Sequence, residues 1–246
     1  YEYINAPYKA VLYEHEGIIQ ENQENELSPI DKVINACEHS NGPLLTIIEA
    51  AAGYGKTCTA YEIVNRLCLN YTDNIPLYIE LSRNREARIF KHVLQNEIEL
   101  QFQNIVTSEV VRHQIIEGRI PIVIDGFDEL LSKDFSADST EIRDVESMLN
   151  TILDLLDGQS RIIITSRKTA IFSGEEFNAL IDKKIRKYHI LRLTLSEPNI
   201  SNWLDSSRIQ IINEHHIPIN SISNPVLLAY LRNISIPDLK VINKEN

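Results

Sequence analysis

Lys56 and Thr57 close the run "AAAGYGKT" at Ala50–Thr57, between an apolar stretch and a helical pattern. A lysine ammonium is a compact donor of three hydrogen bonds, and a threonine hydroxyl is a good ligand for a hard cation. Gly53 and Gly55 let successive backbone N–H groups approach an anion closely. At the opening of a helix, where unpaired N–H groups carry partial positive charge, this combination suits a phosphate chain. Lys56 would reach the β- and γ-phosphates of a nucleotide, and Thr57 would ligate Mg2+. The usual pattern, G-x-x-x-x-G-K-[ST], is missed at one position, because Ala50 stands where its first glycine belongs.

Two further stretches carry matching chemistry. In "RIPIVIDGFDEL" an apolar run ends in Asp125, and a carboxylate at the end of a parallel strand is placed to hold Mg2+. Asp128 and Glu129 follow, and either could serve as the base or water-orienting group a hydrolase needs. In "RIIITSR" another apolar run ends at Thr165, followed by Ser166 and Arg167. Ligands of open α/β sheets bind at such strand ends. Arg167 is therefore a candidate to stabilise charge on the γ-phosphate.

These groups need a frame to bring them together. Five short apolar runs read as strands: Leu44–Glu49, Pro76–Leu81, Ile120–Asp125, Arg161–Thr165 and Tyr188–Leu195. Between them lie helical patterns. One carries apolar residues at Ala60, Ile63, Val64, Leu67 and Cys68, a second at Ile89, Phe90, Val93, Leu94 and Ile98, and a third from Val145 to Leu156. Strands alternating with helices predict an α/β fold with a parallel sheet covered on both faces. Residues 1–40 read as a lead-in with a helix from Pro29 to about His39, capped by Ser28. Residues 41–195 form the core, and 196–246 a small helical subdomain.

The bulk properties limit the function. The 246 residues carry 24 Lys+Arg against 35 Asp+Glu, a net charge of −11, which argues against a broad nucleic-acid face. No apolar run approaches a membrane span and no leader is visible. Three cysteines without a C-x-x-C pair, Cys37, Cys58 and Cys68, read as reduced, buried thiols of a cytoplasmic protein. A start at Tyr1 and an end in "KVINKEN" suggest a segment of a longer protein.

Taken together, "AAGYGKT", "VIDGFDEL", "ITSR" and "NPVLLAYL" resemble the NACHT family of signal-transducing (STAND) P-loop ATPases, over about Leu44 to Leu231. The style of "YIELSRNREARIFKHVL" is closer to the bacterial, antiphage branch. The family hallmark is a small residue directly after the Mg2+-binding Asp with two acids beyond, matched by Asp125-Gly126-Phe127-Asp128-Glu129. The resemblance implies five parallel strands in the order 5-1-4-3-2 and a "NPVLL" turn, Asn224-Pro225, lying against adenine, with the lead-in on the base's other side. It implies further a winged helix, sensor and effector domains beyond this segment, and self-association on activation. The nucleotide-binding set is then Ala52, Gly53, Tyr54, Gly55, Lys56, Thr57, Cys58 and Pro225. Thr57 and Asp125 serve the metal, and Asp128, Glu129 and Arg167 the chemistry. The cofactors are ATP (or ADP) and Mg2+, and the activity a slow ATPase acting as a switch.

Two other readings compete. A GTP-using switch lacks the D-x-x-G and [NT]-K-x-D signatures, and a nucleotide-free scaffold is supported only by Ala50. One feature belongs to no motif. "SRNREAR" puts Arg83, Arg85 and Arg88 at a helix start, against the macrodipole, where they could meet a neighbouring protomer.

Overall fold

A computed structural model describes residues 3–14, 17–22, 27–70, 75–81, 90–101, 108–130, 149–167, 188–215 and 224–242. Arg83, Arg85 and Arg88, residues 145–148 of the helix expected from Val145, and the side chain of Glu129 lie outside the described residues.

The strands are β1 (Tyr8–Glu14), β2 (Gly17–Asn22), β3 (Leu44–Glu49), β4 (Leu77–Glu80), β5 (Ile122–Asp125), β6 (Arg161–Ser166) and β7 (His189–Leu195). They form one sheet in the order β2-β1-β7-β3-β6-β5-β4. The expectation of five parallel strands is not met as it stands, because the described residues form a mixed sheet of seven strands. Its parallel block, β7-β3-β6-β5-β4, is extended by a hairpin, with β1 antiparallel to both β7 and β2. The hairpin lies in the lead-in that was expected to supply a helix alone. The pairing of β1 with β7 joins residues far apart in the chain, from Tyr8 with Leu195 to Glu14 with His189, so no local pattern announces it.

Strands β3, β5 and β6 are buried along their whole length, which is why they read as unbroken apolar runs rather than alternating ones. Pro76 and Pro121 lie just outside β4 and β5, where their missing N–H costs no ladder bond.

Helices α1 (Pro29–His39) and α2 (Lys56–Asn70) cover one face of the sheet. On the other face lie α3 (Phe90–Gln101), α4 (Ser108–Ile116) and residues 149–156. Ser28 caps α1 by accepting the Asp31 N–H at 3.0 Å, with Pro29 as the first helical residue. In α2 the buried apolar residues are Ala60, Ile63 and Leu67, with Thr59 buried beside them, a narrower apolar stripe than the sequence suggested. The expectation of three buried thiols therefore holds for Cys37 alone, since Cys58 and Cys68 lie on the exposed side of α2.

The sheet is fastened at the N-terminal ends of its strands by Arg161, the buried first residue of β6. Its guanidinium donates to the carbonyls of Cys37, in the last turn of α1, and of Ser40, its C-cap, and to those of Gly42, Gln159 and Ser160, at 2.7–3.1 Å.

After β7 the chain forms α5 (Ile200–Trp203), α6 (Ser206–Glu214), α7 (Pro225–Asn233) and α8 (Ile236–Leu239). They share an apolar cluster of their own around Leu204, Ile212, Leu228, Leu231 and Leu239. Arg208 of α6 donates to the carbonyls of Leu231 and Ile234, both at 2.8 Å, and so closes the C-terminus of α7.

Candidate functional site

The loop from β3 to α2 leaves the C-terminal edge of the sheet. Ala50 is 1% exposed and belongs to the apolar cluster under α1 and α2, and its N–H donates to the Ser166 carbonyl at 3.2 Å. The methyl group that breaks the glycine pattern thus has a packing partner. Gly53 and Gly55 have φ of 82° and 85°, a region that side-chain-bearing residues avoid. A Cβ built on Gly55 meets no heavy atom within 4 Å, so the backbone angle and not crowding calls for glycine there. The Lys56 ammonium lies over the loop, donating to the Ala50 and Ala51 carbonyls at 3.0 and 3.1 Å. Thr57 is exposed in the first turn of α2.

A second group gathers where β5 and β6 end. Asp125 is 5% exposed. The Thr165 hydroxyl donates to its Oδ1 and accepts the Gly126 N–H at 3.0 Å, and the Tyr78 hydroxyl donates to its Oδ2 at 3.4 Å. Burial above all, then the Asp125 charge, raises the Tyr78 phenol, so it remains a donor. Asp128, at the 3-10 turn Phe127–Leu130, is 6% exposed and turned toward β6, where it meets both the backbone and the side chain of Arg167. The strand end before Ala50 carries a further polar pair, the buried Glu49 Oε1 and the half-buried Arg192 Nε at 3.8 Å.

A cavity of about 560 Å3 lies between the glycine loop and α7. One wall is Gly53, Tyr54, Gly55, Cys58 and Thr59; the opposite wall is α7, beginning at Pro225; Tyr3, Ile4 and Ala6 of the lead-in and Trp203 of α5 close the rest. The Tyr3 hydroxyl lies 3.0 Å from Thr59 Oγ1, and burial raises its phenol pKa. Asn224 caps α7 with Oδ1 on the Val226 N–H at 2.8 Å, while its Nδ2 would stand 3.3 Å from a Cβ placed on Gly53. The helical segment therefore touches the glycine loop directly.

Of the residues expected at the site, Gly53, Tyr54, Gly55, Cys58 and Pro225 line this cavity. Ala52, Lys56 and Thr57 lie on the same loop and helix start without lining it, and Asp125, Asp128 and Arg167 form the separate cluster at the β5 and β6 ends. Sequence reasoning passed over Thr165, Tyr78, Tyr3, Trp203 and Arg192. Thr165 was read only as a strand end, and an aromatic such as Trp203 gives no sign of what it will face. No group of three or more His, Cys, Asp or Glu side chains suited to a metal occurs among the described residues. A Mg2+ that keeps waters and phosphate ligands needs only one or two protein oxygens, and the Thr57 hydroxyl and Asp125 carboxylate offer that kind of donor set. No helix among the described residues is long and apolar enough to cross a membrane.

No protein-family profile matches the chain, and no curated protein sequence matches it. Among solved structures it is similar to domain III of the Thermotoga maritima replication initiation protein DnaA, with 13% identity, a TM-score of 0.43, and coverage of 87% of this chain and 82% of that one. It is also similar to the Aeropyrum pernix ORC2 protein in its ADPNP-ADP complexes, with 12% identity, a TM-score of 0.46 and coverage of 75% and 54%. A third is AMPPCP-bound DnaA from Aquifex aeolicus, with 13% identity and a TM-score of 0.38, where this chain spans 57% of that structure's length. At these values the likeness is loose, and nothing those proteins bind carries over to this chain.

Proposed function

We propose that this chain is an ATP-binding and ATP-hydrolysing P-loop module of the NACHT type, in which bound nucleotide sets the position of the helical segment against the core. One observation carries the reading: a nucleotide-sized cavity has Gly53–Gly55 of the glycine loop and Cys58 and Thr59 of α2 as one wall and α7 as the other, with Asn224 resting on Gly53.

Within that cavity the N–H groups of the loop and of the first turn of α2 would receive the phosphates. Lys56 would exchange its loop carbonyls for phosphate oxygens. Mg2+ would be held by Thr57 and Asp125 and would neutralise charge on the phosphates, while Thr165 and Tyr78 would hold the Asp125 carboxylate in place. Arg167, positioned by Asp128, would meet the terminal phosphate. Because Asp128 is committed to Arg167, the water-orienting role falls to Glu129. Pro225 and the Tyr3–Ala6 segment would enclose the base.

A nucleotide that touches both walls binds the closed arrangement more tightly than the open one, which is the condition for a switch. Self-association in the open form, fused sensor and effector domains, a cytoplasmic location and a part in bacterial antiphage defence complete this reading. They rest on the resemblance of "AAGYGKT", "VIDGFDEL", "ITSR" and "NPVLL" alone.

The test is thermal unfolding with and without Mg·ATP. Saturating nucleotide at about 100 times Kd adds about 2.7 kcal/mol, a rise of several degrees. Lys56→Ala should abolish the rise, and a Lys56→Ala protein that shifts as far as the wild type would sink the assignment.

A further inference from the structure

Helix α7 presents one stripe to the cavity: Pro225, Val226, Ala229, Arg232 and Asn233. The stripe has a direction. It starts at the glycine loop, because Asn224 rests on Gly53. At 1.5 Å per residue, Asn233 stands about 12 Å further along than Pro225. A nucleotide whose phosphates occupy the loop end carries its base toward the other end. Between the two ends the stripe is apolar, at Val226 and Ala229. Its far end is polar.

The Asn233 amide has a fixed orientation. Its nitrogen Nδ2 donates to the Ala229 carbonyl at 2.7 Å, and a carbonyl can only accept. The assignment of nitrogen and oxygen therefore follows from the partner. Oδ1 is turned away from Ala229 as an acceptor, and no donor reaches it among the described residues.

We propose that Asn233 reads the base and selects adenine over guanine. Its Oδ1 would accept from the 6-amino group of adenine. Guanine carries a 6-oxo oxygen at the same place, and two acceptors would then oppose each other. Arg232, the neighbouring cation, is a pure donor and would favour guanine, but it is already engaged within the protein. The proposal rests on the nucleotide-site reading above and adds to it the residue that sets base preference.

The experiment measures equilibrium binding of Mg·ATP, Mg·GTP and the Mg·triphosphate of purine riboside, which lacks any 6-substituent. The proteins are the wild type, Asn233→Leu, Asn233→Lys and the Lys56→Ala control. Both Asn233 variants sit at an exposed helix end, where Leu is tolerated and Lys complements the helix dipole. The wild type should prefer ATP to GTP by about tenfold or more, and ATP to the purine analogue by about threefold to tenfold. Asn233→Leu should bring all three within about threefold of one another, and Asn233→Lys should turn the preference toward GTP. An unchanged ATP-to-GTP ratio in Asn233→Leu, or no base preference in the wild type, overturns the role of Asn233 while leaving the phosphate site standing. A wild-type preference for GTP overturns it in favour of Arg232. Failure of the wild type to bind any of the three, or full binding by Lys56→Ala, removes the site itself and this proposal with it.

Discussion

Arg167 is tied to Asp128 at two points: its backbone N–H donates to Oδ1 at 2.8 Å, and its Nε stands 3.1 Å from Oδ2. The Arg167 side chain, on the residue just after β6, is 56% exposed, while the carboxylate beneath it is almost wholly buried. An exposed cation held by a buried acid is aimed rather than stabilising, since a half-exposed ion pair contributes little to folding.

The expected outcome is that Asp128 acts through Arg167. Arg167→Ala should lower ATP hydrolysis on the order of 10²-fold while leaving the Mg·ATP melting shift in place. Asp128→Asn keeps an acceptor for the Arg167 N–H but loses the charge, and should fall part of the way. The double variant should be no slower than Arg167→Ala alone, because two residues acting as a unit are not additive. A double variant slower by the product of the single effects would show that Asp128 has a separate job.

Ala50 and Gly55 give opposite expectations for the same pair of residue types. Ala50→Gly deletes a buried methyl group and loosens the loop, and should destabilise by about 1 kcal/mol without tightening ATP binding. Gly55→Ala meets no protein atom, yet forces a side chain to φ near 85°, a strain of about 1–2 kcal/mol, and places a methyl group where phosphate would sit. It should remove the nucleotide-dependent melting shift. Denaturant titration with and without Mg·ATP reads both effects. Tighter ATP binding in Ala50→Gly would show that the missing glycine does weaken the site.

Thr165 is the residue on which the Asp125 cluster turns. Thr165→Val keeps the shape and removes the hydroxyl that links the Gly126 N–H to the Asp125 carboxylate. The loss should cost about 1–3 kcal/mol and raise the Mg2+ concentration needed for half-maximal hydrolysis, with Thr165→Ser restoring both. Unaltered Mg2+ dependence in Thr165→Val would mean that Asp125 does not depend on this support.

The thiols provide a test of burial and of pH. Burial pushes the Cys37 thiol up from 9.0 to about 12, against the partial opposing pull of Arg161. The unfolded chain gives up this proton near pH 9 and the folded chain only near 12. The stability this group contributes is therefore full below pH 9 and lost as pH rises toward 12. Cys37→Ala should flatten the alkaline fall in the denaturation midpoint over that window. Under native conditions two thiols, Cys58 and Cys68, should react with an aromatic disulfide reagent. Mg·ATP should shield Cys58, which lines the cavity, and leave Cys68 reactive. Equal reactivity of all three would contradict the packing of α1 against the sheet.

The sequence was most informative where the chemistry is local. Lys56 and Thr57 had to open a helix, Asp125 had to end a strand, and Gly53 and Gly55 had to adopt positive φ, all of which can be reasoned from neighbours a few residues away. The hairpin β1–β2 could not, because β1 is defined by its pairing with β7. Pro225 and the lead-in were brought to the site only through resemblance, and what the structure shows of them is that both line the cavity. Tyr3, Trp203 and Asn233 reach the cavity from three separate parts of the chain, and nothing in their own surroundings marks them. Asp128 shows a subtler limit: its residue type suits a base, and only the geometry shows each of its oxygens meeting Arg167.

The Arg161 clamp gives the molecule a gradient of stiffness. Five carbonyls converge on one buried guanidinium at the end of the sheet remote from the cavity, so that end can loosen only by exposing several polar groups at once. At the opposite end the strands give way to glycine turns and to a helical segment that meets the loop through Asn224. Motion driven by a ligand would therefore be confined to the rim that carries the glycine loop, with the clamped end acting as its fixed base.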